Sequence, residues 1–277
     1  QDRTFFFSNF EQRLLNQSGL VTISPANVNT INTRLAAVGY PGPLITTGLY
    51  PNPVHNVNVL GKVDHQFSPK DQFSVRYSLY DVNARNSRGA GALSASTASS
   101  NLDSKDQTLA VSNTVSLSPR AVNDTRGRVT YRDLKALRCD LVGPAVNIWG
   151  VASFGTSSGS PTGRVNRLYE ILDNLSYQAG AHAVRVGTDF LYNGSRITYP
   201  RAFRGSYGFS SLNNFLSGFY NNLGFSQTFG NSVVSQNNPN VGFYAQDEWK
   251  LTRSLTLNPG LRYDLQFLET VSTDRNN

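Results

Sequence analysis

The sequence predicts an all-β protein, an antiparallel transmembrane β-barrel of which about nine strands are present. Three observations support this fold class. Apolar and polar residues alternate over segments of about ten residues, short and long connections follow one another, and aromatic residues lie near the segment ends. A tilted strand needs ~9–11 residues to cross a bilayer, whereas strands of soluble proteins usually have about five or six.

The candidate strands follow one another along the whole chain. In order, the alternating segments cover residues 5–13, 57–67, 73–79, 108–117, 121–131, 169–177, 184–192, 241–249 and 255–267. The last is the clearest, because its odd positions are apolar and its even positions are polar or glycine. Alternation assigns each position to one face of the barrel. It predicts that Val111, Val186, Leu257 and Leu261 face lipid, and that Arg76, Arg185 and Arg262 face the lumen.

The connections predict which end of the barrel lies outside the cell. The short ones cover 67–71, 117–121, 178–181 and 251–254, and the long ones cover 15–54, 84–104, 133–165 and 195–238. Pro69, Pro119 and Gly180 provide turn chemistry in the short ones. We therefore expect short periplasmic turns and long extracellular loops. A soluble β-sandwich also alternates, but its loops are short on both sides.

Two of the long loops are expected to contain short helices. Ser24 precedes Pro25, the arrangement of a helix cap followed by proline, and the apolar residues Val28, Ile31, Leu35 and Val38 then share one face. Ser211 precedes apolar residues at helical spacing, namely Leu212, Phe215, Leu216 and Phe219. Such a helix is either a lid that contacts ligand or part of a loop packed over its own small core.

The loop over residues 195–238 also contains the best candidate for a ligand-binding site. Its aromatic and basic residues are close together in the sequence: Tyr199, Arg201, Phe203, Arg204 and Tyr207. Aromatic rings stack on flat or sugar-like groups, and arginine binds carboxylate or phosphate. The sequence therefore predicts that an extracellular ligand binds here.

Composition argues against several other classes of protein. The net charge is +7, from 25 basic and 18 acidic residues, but no basic run of the kind that binds nucleic acid is present. One cysteine and three histidines predict neither a disulfide framework nor a metal site, and no cofactor motif is found. No apolar run reaches the ~20 residues of a membrane helix.

The strongest catalytic motif is a Gly-x-Ser-x-Gly sequence over residues 155–159, followed by Asp173 and His182 in hydrolase order. A nucleophile elbow needs a strand before it and a helix after it. Here Ser160 and Pro161 follow in a Ser/Gly-rich run, so we interpret the motif as a chance match. The sequence thus predicts no catalytic residues and no enzyme.

The final two segments resemble a known family. Asn240–Lys250 reads NVGFYAQDEWK and Ser254–Asp264 reads SLTLNPGLRYD, which is similar to a hairpin in the barrel of TonB-dependent outer-membrane receptors. The opening TFFFSNFE over Thr4–Glu11 resembles a strand of the Oar-like branch, which carries a carboxypeptidase-regulatory-like domain upstream. The resemblance extends over nearly the whole chain, and its motifs are structural.

This resemblance implies a location and a function. Residues 1–277 would form the N-terminal part of a receptor barrel, with the plug domain and the remaining strands absent. The implied function is uptake of an extracellular nutrient across the bacterial outer membrane. The implied partners are outer-membrane lipid, an extracellular ligand and, through the plug, the TonB energy-transducing complex. Two alternatives remain open: a surface adhesion or structural β-protein without transport, and a soluble carbohydrate-binding protein.

Overall fold

The computed structural model describes residues 3–158, 162–220 and 224–268, and antiparallel strands dominate it. The strands are β1 (Thr4–Leu15), β2 (Ser18–Val21), β3 (Gly48–Pro51), β4 (Val54–Ser68), β5 (Asp71–Arg88), β6 (Ser100–Ser118), β7 (Ala121–Lys135), β8 (Ala145–Ile148), β9 (Ala152–Gly155), β10 (Gly163–Ala179), β11 (His182–Thr198), β12 (Ser206–Phe209), β13 (Phe225–Ser226), β14 (Val233–Lys250), β15 (Thr256–Leu257) and β16 (Gly260–Gln266). The helices are α1 (Pro25–Ala37) and α2 (Leu212–Ser217), with a 3-10 turn over Ser96–Ala98. Within the described residues, neither α-helix has the length and hydropathy required to cross a bilayer.

The long strands form one open antiparallel sheet. Its order is β1-β4-β5-β6-β7-β10-β11-β14, and both β15 and β16 pair with the far edge of β14. Since β15 and β16 share that edge, the described residues supply nine strand positions, which confirms the predicted number. Seven strands of this sheet have 15 to 19 residues each, more than a bilayer needs, namely β4, β5, β6, β7, β10, β11 and β14. In the described part of the chain β1 and β16 do not pair, so the barrel is not closed.

The alternation of connections is also as predicted. The four tight turns join β4 to β5, β6 to β7, β10 to β11 and β14 to β15. The predicted loop over 84–104 is shorter than expected, because β5 continues to Arg88 and β6 begins at Ser100. The ladder continues there, with Ala84 opposite Leu102 and Arg88 opposite Ser100. The apolar pattern ends where the strands leave the membrane, whereas the backbone hydrogen bonds do not.

The register confirms the predicted division of the faces. Arg76 lies opposite Lys62 and Ala110 on one face, while Val111 lies opposite Val75 and Gly127 on the other. Arg185 and Arg262 are on the face of Arg76, and Val186, Leu257 and Leu261 are on the face of Val111. The lipid side of the sheet is therefore apolar over most of its area and the lumen side is polar.

The lipid-facing side is interrupted by a polar group where the alternation is weaker in sequence. The carboxylate of Asp173 accepts hydrogen bonds from Asn123 Nδ2 (2.9 Å) and Thr125 Oγ1 (2.5 Å). A polar group in hydrocarbon needs a partner within the protein. Asn123 and Thr125 on β7 are these partners, so the carboxylate of Asp173 is hydrogen-bonded within the protein.

The long connections are not separate loops but pack together. Strands β8, β9, β12 and β13 form a four-stranded sheet, and β2 and β3 form a second small sheet. In the chain, α1 lies between β2 and β3, and α2 lies between β12 and β13. We call these elements, with the 3-10 turn, the loop cap. Buried side chains from all four long connections form its core: Val21, Ile23, Ile31, Leu35, Ile45, Tyr50, Ala95, Ile148, Ala152, Phe154, Phe209 and Phe215. Of the two interpretations of the loop helices, packing over a core is confirmed, but the core is shared.

Both helices begin where the sequence predicts. The hydroxyl of Ser24 accepts a hydrogen bond from the Asn27 amide (3.2 Å), and Ser211 caps α2 in the same way. Ile31 is fully buried, as its place on the apolar face predicts. Val38 and Phe219 are exposed instead, because α1 ends at Ala37 and α2 at Ser217.

Candidate ligand-binding site

The five predicted ligand-binding residues lie in the loop cap, between β11 and β12 or on β12. Tyr199, Arg201 and Arg204 are exposed, while Phe203 and Tyr207 are half-buried. Among the described residues, no hydrogen bond or ring contact joins any two of the five. They therefore occupy one extracellular segment without forming a single cluster, and their role in ligand binding stays a prediction.

Tyr207 belongs to an aromatic group at the edge of the cap core. Its ring centroid lies 4.7 Å from that of Phe225, 5.3 Å from that of Tyr220 and 6.2 Å from that of Phe209. Phe209 in turn meets Phe215 of the core edge to face at 5.4 Å. These contacts use much of the Tyr207 ring for packing, which fixes β12 against β13 and α2.

Arginines link the connection after β7 to the connection after β11. Arg204 Nη1 donates to the carbonyl of Val142 (3.0 Å), and Arg138 Nη2 donates to the carbonyl of Pro200 (2.7 Å). Burial, and then the nearby positive charge of Arg204, lower the pKa of Arg138. The two guanidinium groups therefore create a positive potential in this part of the cap. Sequence reasoning missed Arg138, because its partner lies 62 residues away.

A second link joins the connection after β1 to the connection after β7. The hydroxyl of Tyr40 donates to Asp140 Oδ2 (2.7 Å), and the amide of Val142 donates to Asp140 Oδ1 (2.8 Å). Asp140 is only 1% exposed. Burial, followed by the hydrogen bond to Asp140 and its charge, raises the pKa of Tyr40 above its ordinary range. No local pattern signals this pair, since 100 residues separate its members.

Below the cap, the concave face of the sheet forms a polar groove of about 650 Å³ lined by residues of β4, β5, β6, β7 and β10. Three ion pairs line it: Lys62 with Asp64 (2.8 Å), Arg126 with Asp124 (2.8 Å) and Arg128 with Glu170 (2.9 Å). Arg76 also lines the groove and has no ionic partner among the described residues. Such a wall can exchange hydrogen bonds with water or with a polar solute.

The described residues do not assemble the hydrolase motif. Ser157 lies in the connection before β10, whereas His182 begins β11 at the opposite end of the strands and bonds to Asp247 (2.6 Å). Gly159, Ser160 and Pro161 lie outside the described residues. Within the described ranges, no group of three or more His, Cys, Asp or Glu side chains could hold a metal ion.

Comparisons with known proteins agree with this architecture. A family model described as "Outer membrane beta barrel domain" matches residues 21–277. The fold is similar to that of the outer membrane transporter YddB from Escherichia coli, with a TM-score of 0.56 and 14% identity over 96% of this chain and 32% of that one. It is also similar to P. aeruginosa FpvA bound to heterologous pyoverdines, with a TM-score of 0.52 and 12% identity over 80% of this chain and 34% of that one. The chain thus spans about a third of each structure. No curated protein matches it.

Proposed function

We propose a transport function, starting from the fact that the chain belongs to the outer membrane β-barrel domain family. The protein is a component of the bacterial outer membrane. In this proposal it forms part of the barrel wall of a TonB-dependent receptor that takes up a scarce extracellular nutrient. The observation that carries the proposal is the combination of a charged, concave lumen face with a folded cap over the extracellular ends of the strands.

The polar wall supports passage of a solute rather than a purely structural role. A barrel that only anchors surface loops has no need of unpaired charge on the inside, where each ionic group must keep its hydration. Arg76 and Arg185 have no ionic or hydrogen-bonding partner among the described residues. In the proposed receptor, these cations face either the solute or a domain that fills the lumen, which in TonB-dependent receptors is the plug.

The loop cap supports capture of a ligand at the cell surface. Tyr199 and Arg201 are exposed side chains on a segment that a packed core holds in place, which lowers the entropy lost on binding. We propose that they contact the ligand together with Phe203, Arg204 and the free edge of Tyr207. We also propose that no reaction is catalysed.

Two finer assignments complete the proposal, one from resemblance and one from the open edges of the sheet. The opening segment Thr4–Glu11 favours the Oar-like branch of the receptors. The open edges of β1 and β16 favour a barrel completed by strands outside this chain, because an unpaired edge in hydrocarbon costs several kcal/mol per backbone group. In such a receptor, coupling to the TonB complex would be made through the plug.

Depletion of nutrients from spent medium tests the proposal. Three cultures are compared by mass spectrometry: cells with the protein, cells without its gene, and cells with the protein treated with a protonophore. Transport powered by the inner membrane predicts one or more compounds that only the first culture removes. The adhesion alternative predicts that the first two cultures deplete the medium alike while the gene deletion reduces attachment to surfaces, and that result would overturn the proposal.

A further inference from the structure

Three basic residues stand on the membrane-facing side of the sheet, just above a row of tyrosines. Tyr169 lies opposite Tyr192 on this face, with ring centroids 6.0 Å apart. Toward the extracellular end, Arg167 lies opposite Tyr131, and Arg196 lies opposite Val165. Lys135 is two residues beyond Asp133, which also faces Val165. Arg167, Arg196 and Lys135 therefore continue the lipid side of the wall past its apolar band.

The position of these cations corresponds to the headgroup layer of the outer leaflet. Tyrosines mark the membrane–water interface of barrels. Arg196 comes four residues after Tyr192, which is ~13 Å along a strand at about 3.3 Å per residue. At a tilt of roughly 40° this becomes ~10 Å along the membrane normal. The headgroup layer is ~5–8 Å thick on each side of the hydrocarbon, so the backbone of Arg196 lies just above this layer and its long side chain can reach back into it.

A groove of about 430 Å³ lies at this level. Its lining combines apolar side chains such as Leu141 and Val165 with three cations, Lys135, Arg138 and Arg196, and one carboxylate, Asp133. Arg164 also borders the groove, but its place between Gly163 and Val165 on β10 puts it on the lumen face. Three positive charges and one negative charge give a net charge of two positive. Lys135 reaches Asp133 at 3.3 Å, but Arg196 has no ionic or hydrogen-bonding partner in the described part of the chain. The groove is therefore amphipathic and carries uncompensated positive charge.

We propose that this groove binds the phosphate headgroup of an outer-leaflet lipid. Arginine forms paired, charge-assisted hydrogen bonds with phosphate oxygens, and lysine adds a point charge. A soluble phosphate ion would satisfy the cations equally well. The lipid is the occupant we choose, because the groove opens on the membrane face and because its apolar side chains match the region where headgroup and acyl chain meet.

Native mass spectrometry of the complete protein, purified from outer membranes in mild detergent, tests the proposal. The wild-type protein should retain a phosphate-bearing lipid. The double variant Lys135→Ala/Arg196→Ala should lower the retained fraction about tenfold or more, as expected for the loss of charge-assisted bonds. The matched control Arg76→Ala/Arg185→Ala removes two lumen-facing cations and should leave retention unchanged. The conservative variant Lys135→Arg/Arg196→Lys should retain the lipid.

Each of the other outcomes would overturn the proposal. Equal loss of lipid in the control would mean that retention follows net charge rather than this groove. An excess of inorganic phosphate is added to the wild-type protein as a further measurement. If it removes the lipid as completely as the double substitution does, the groove is a site for the free phosphate ion. If the double variant does not fold, as judged by heat-modifiable mobility in gels, Arg196→Gln alone is used, and undiminished retention by that variant would contradict the proposal.

Discussion

Adjacent residues of one strand have different surroundings, because one side chain faces lipid and the next faces the polar lumen. Ile171 lies at the midpoint of β10, is 59% exposed and pairs with Gly127 and Phe190 on the lipid side. Its neighbour Leu172 lines the polar groove of the lumen and pairs with Arg126 and Asp189. These two adjacent residues of similar size thus allow the same substitution to be compared on both faces.

Arginine at position 171 should impair the protein far more than arginine at position 172. A cationic side chain at the bilayer midplane costs ~2–4 kcal/mol, whereas a lumen-facing one stays hydrated beside carboxylates. We expect Ile171→Arg to lower the free energy of unfolding in lipid vesicles by about that amount and Leu172→Arg to change it little. Urea titration and heat-modifiable gel mobility measure both. Equal effects, or the reverse order, would mean that the faces are assigned wrongly.

Tyr40 gives a prediction for the loop cap. Tyr40→Phe removes the hydroxyl that donates to the buried Asp140, and a hydrogen bond to a charged group contributes roughly 1.5–3 kcal/mol. The cap should therefore be cleaved faster by protease while the sheet keeps its heat-modifiable mobility. Tyr199→Phe is the control, because that side chain is 45% exposed and its hydroxyl has no partner in the described ranges. A cap that is equally resistant in both variants would contradict this role.

The same pair predicts a pH dependence. The pKa of Tyr40 is raised in the folded cap, so the unfolded hydroxyl loses its proton first, near pH ~10. The stability contributed by Tyr40 is complete below that pH and declines as the pH rises toward the folded pKa. The difference in protease resistance between the wild type and Tyr40→Phe should therefore be constant at neutral pH and shrink above pH ~10. A difference that stays unchanged well above pH ~10 would be inconsistent with this assignment.

Among the elements, the connection over residues 199–232 contributes to both the sheet and the cap. Its ends, Thr198 and Val233, are register partners on β11 and β14. A two-residue turn such as Asn-Gly can therefore replace the whole connection without moving either strand. The replacement removes Phe209 and Phe215 from the shared core, so its effect reaches the other three long connections.

We expect this replacement to spare the sheet and loosen the cap. Hydrogen exchange should stay slow in β10 and β11 and become faster in α1, and binding of the extracellular ligand should be lost. Unchanged exchange in α1 would show that the connections fold independently.

A finer comparison uses Phe215→Ser against Phe219→Ser: the first residue is 9% exposed and the second 62%. Only the first should destabilise the cap, by ~3–5 kcal/mol as for other buried phenylalanines.

At the scale of the whole molecule, the sheet has two free edges in its described part, along β1 and β16. Phe6 and Leu261 both face lipid by their register, and they are 84% and 79% exposed. Backbone groups along such edges are unsatisfied in hydrocarbon. The 277-residue chain by itself should therefore stay open or pair edge to edge with other copies.

Cysteine cross-linking checks this expectation in a Cys139→Ser background. Phe6→Cys/Val63→Cys joins register partners on β1 and β4, whose Cβ atoms lie ~4.5–5.5 Å apart, and should cross-link efficiently within one chain. Phe6→Cys/Leu261→Cys should not. Efficient cross-linking of the second pair in a detergent monomer would mean that β1 closes onto β16, and the chain would then be a small complete barrel.

The sequence by itself determined the features that depend on neighbouring residues. A period of two assigns the faces of Val111 and Arg76 because successive side chains of any strand point in opposite directions. The cap at Ser24 is visible because its partner amide is three residues away. The number of strands and the alternation of short and long connections follow from the same local patterns. The exposed positions of Val38 and Phe219 were missed, because helix ends depend on packing as well as on spacing.

Only the tertiary structure decided how the connections meet. Tyr40 and Asp140 are 100 residues apart in the chain, and Arg138 is 62 residues from Pro200. The order of strands in the sheet places the four long connections side by side, and burial of their apolar residues then favours one shared core over four separate ones. The candidate site was dispersed for the same reason: Tyr207 turned toward Phe225 and Phe209, while Tyr199 and Arg201 remained exposed. Contacts of this kind have no periodicity along the chain, so no local pattern contains them.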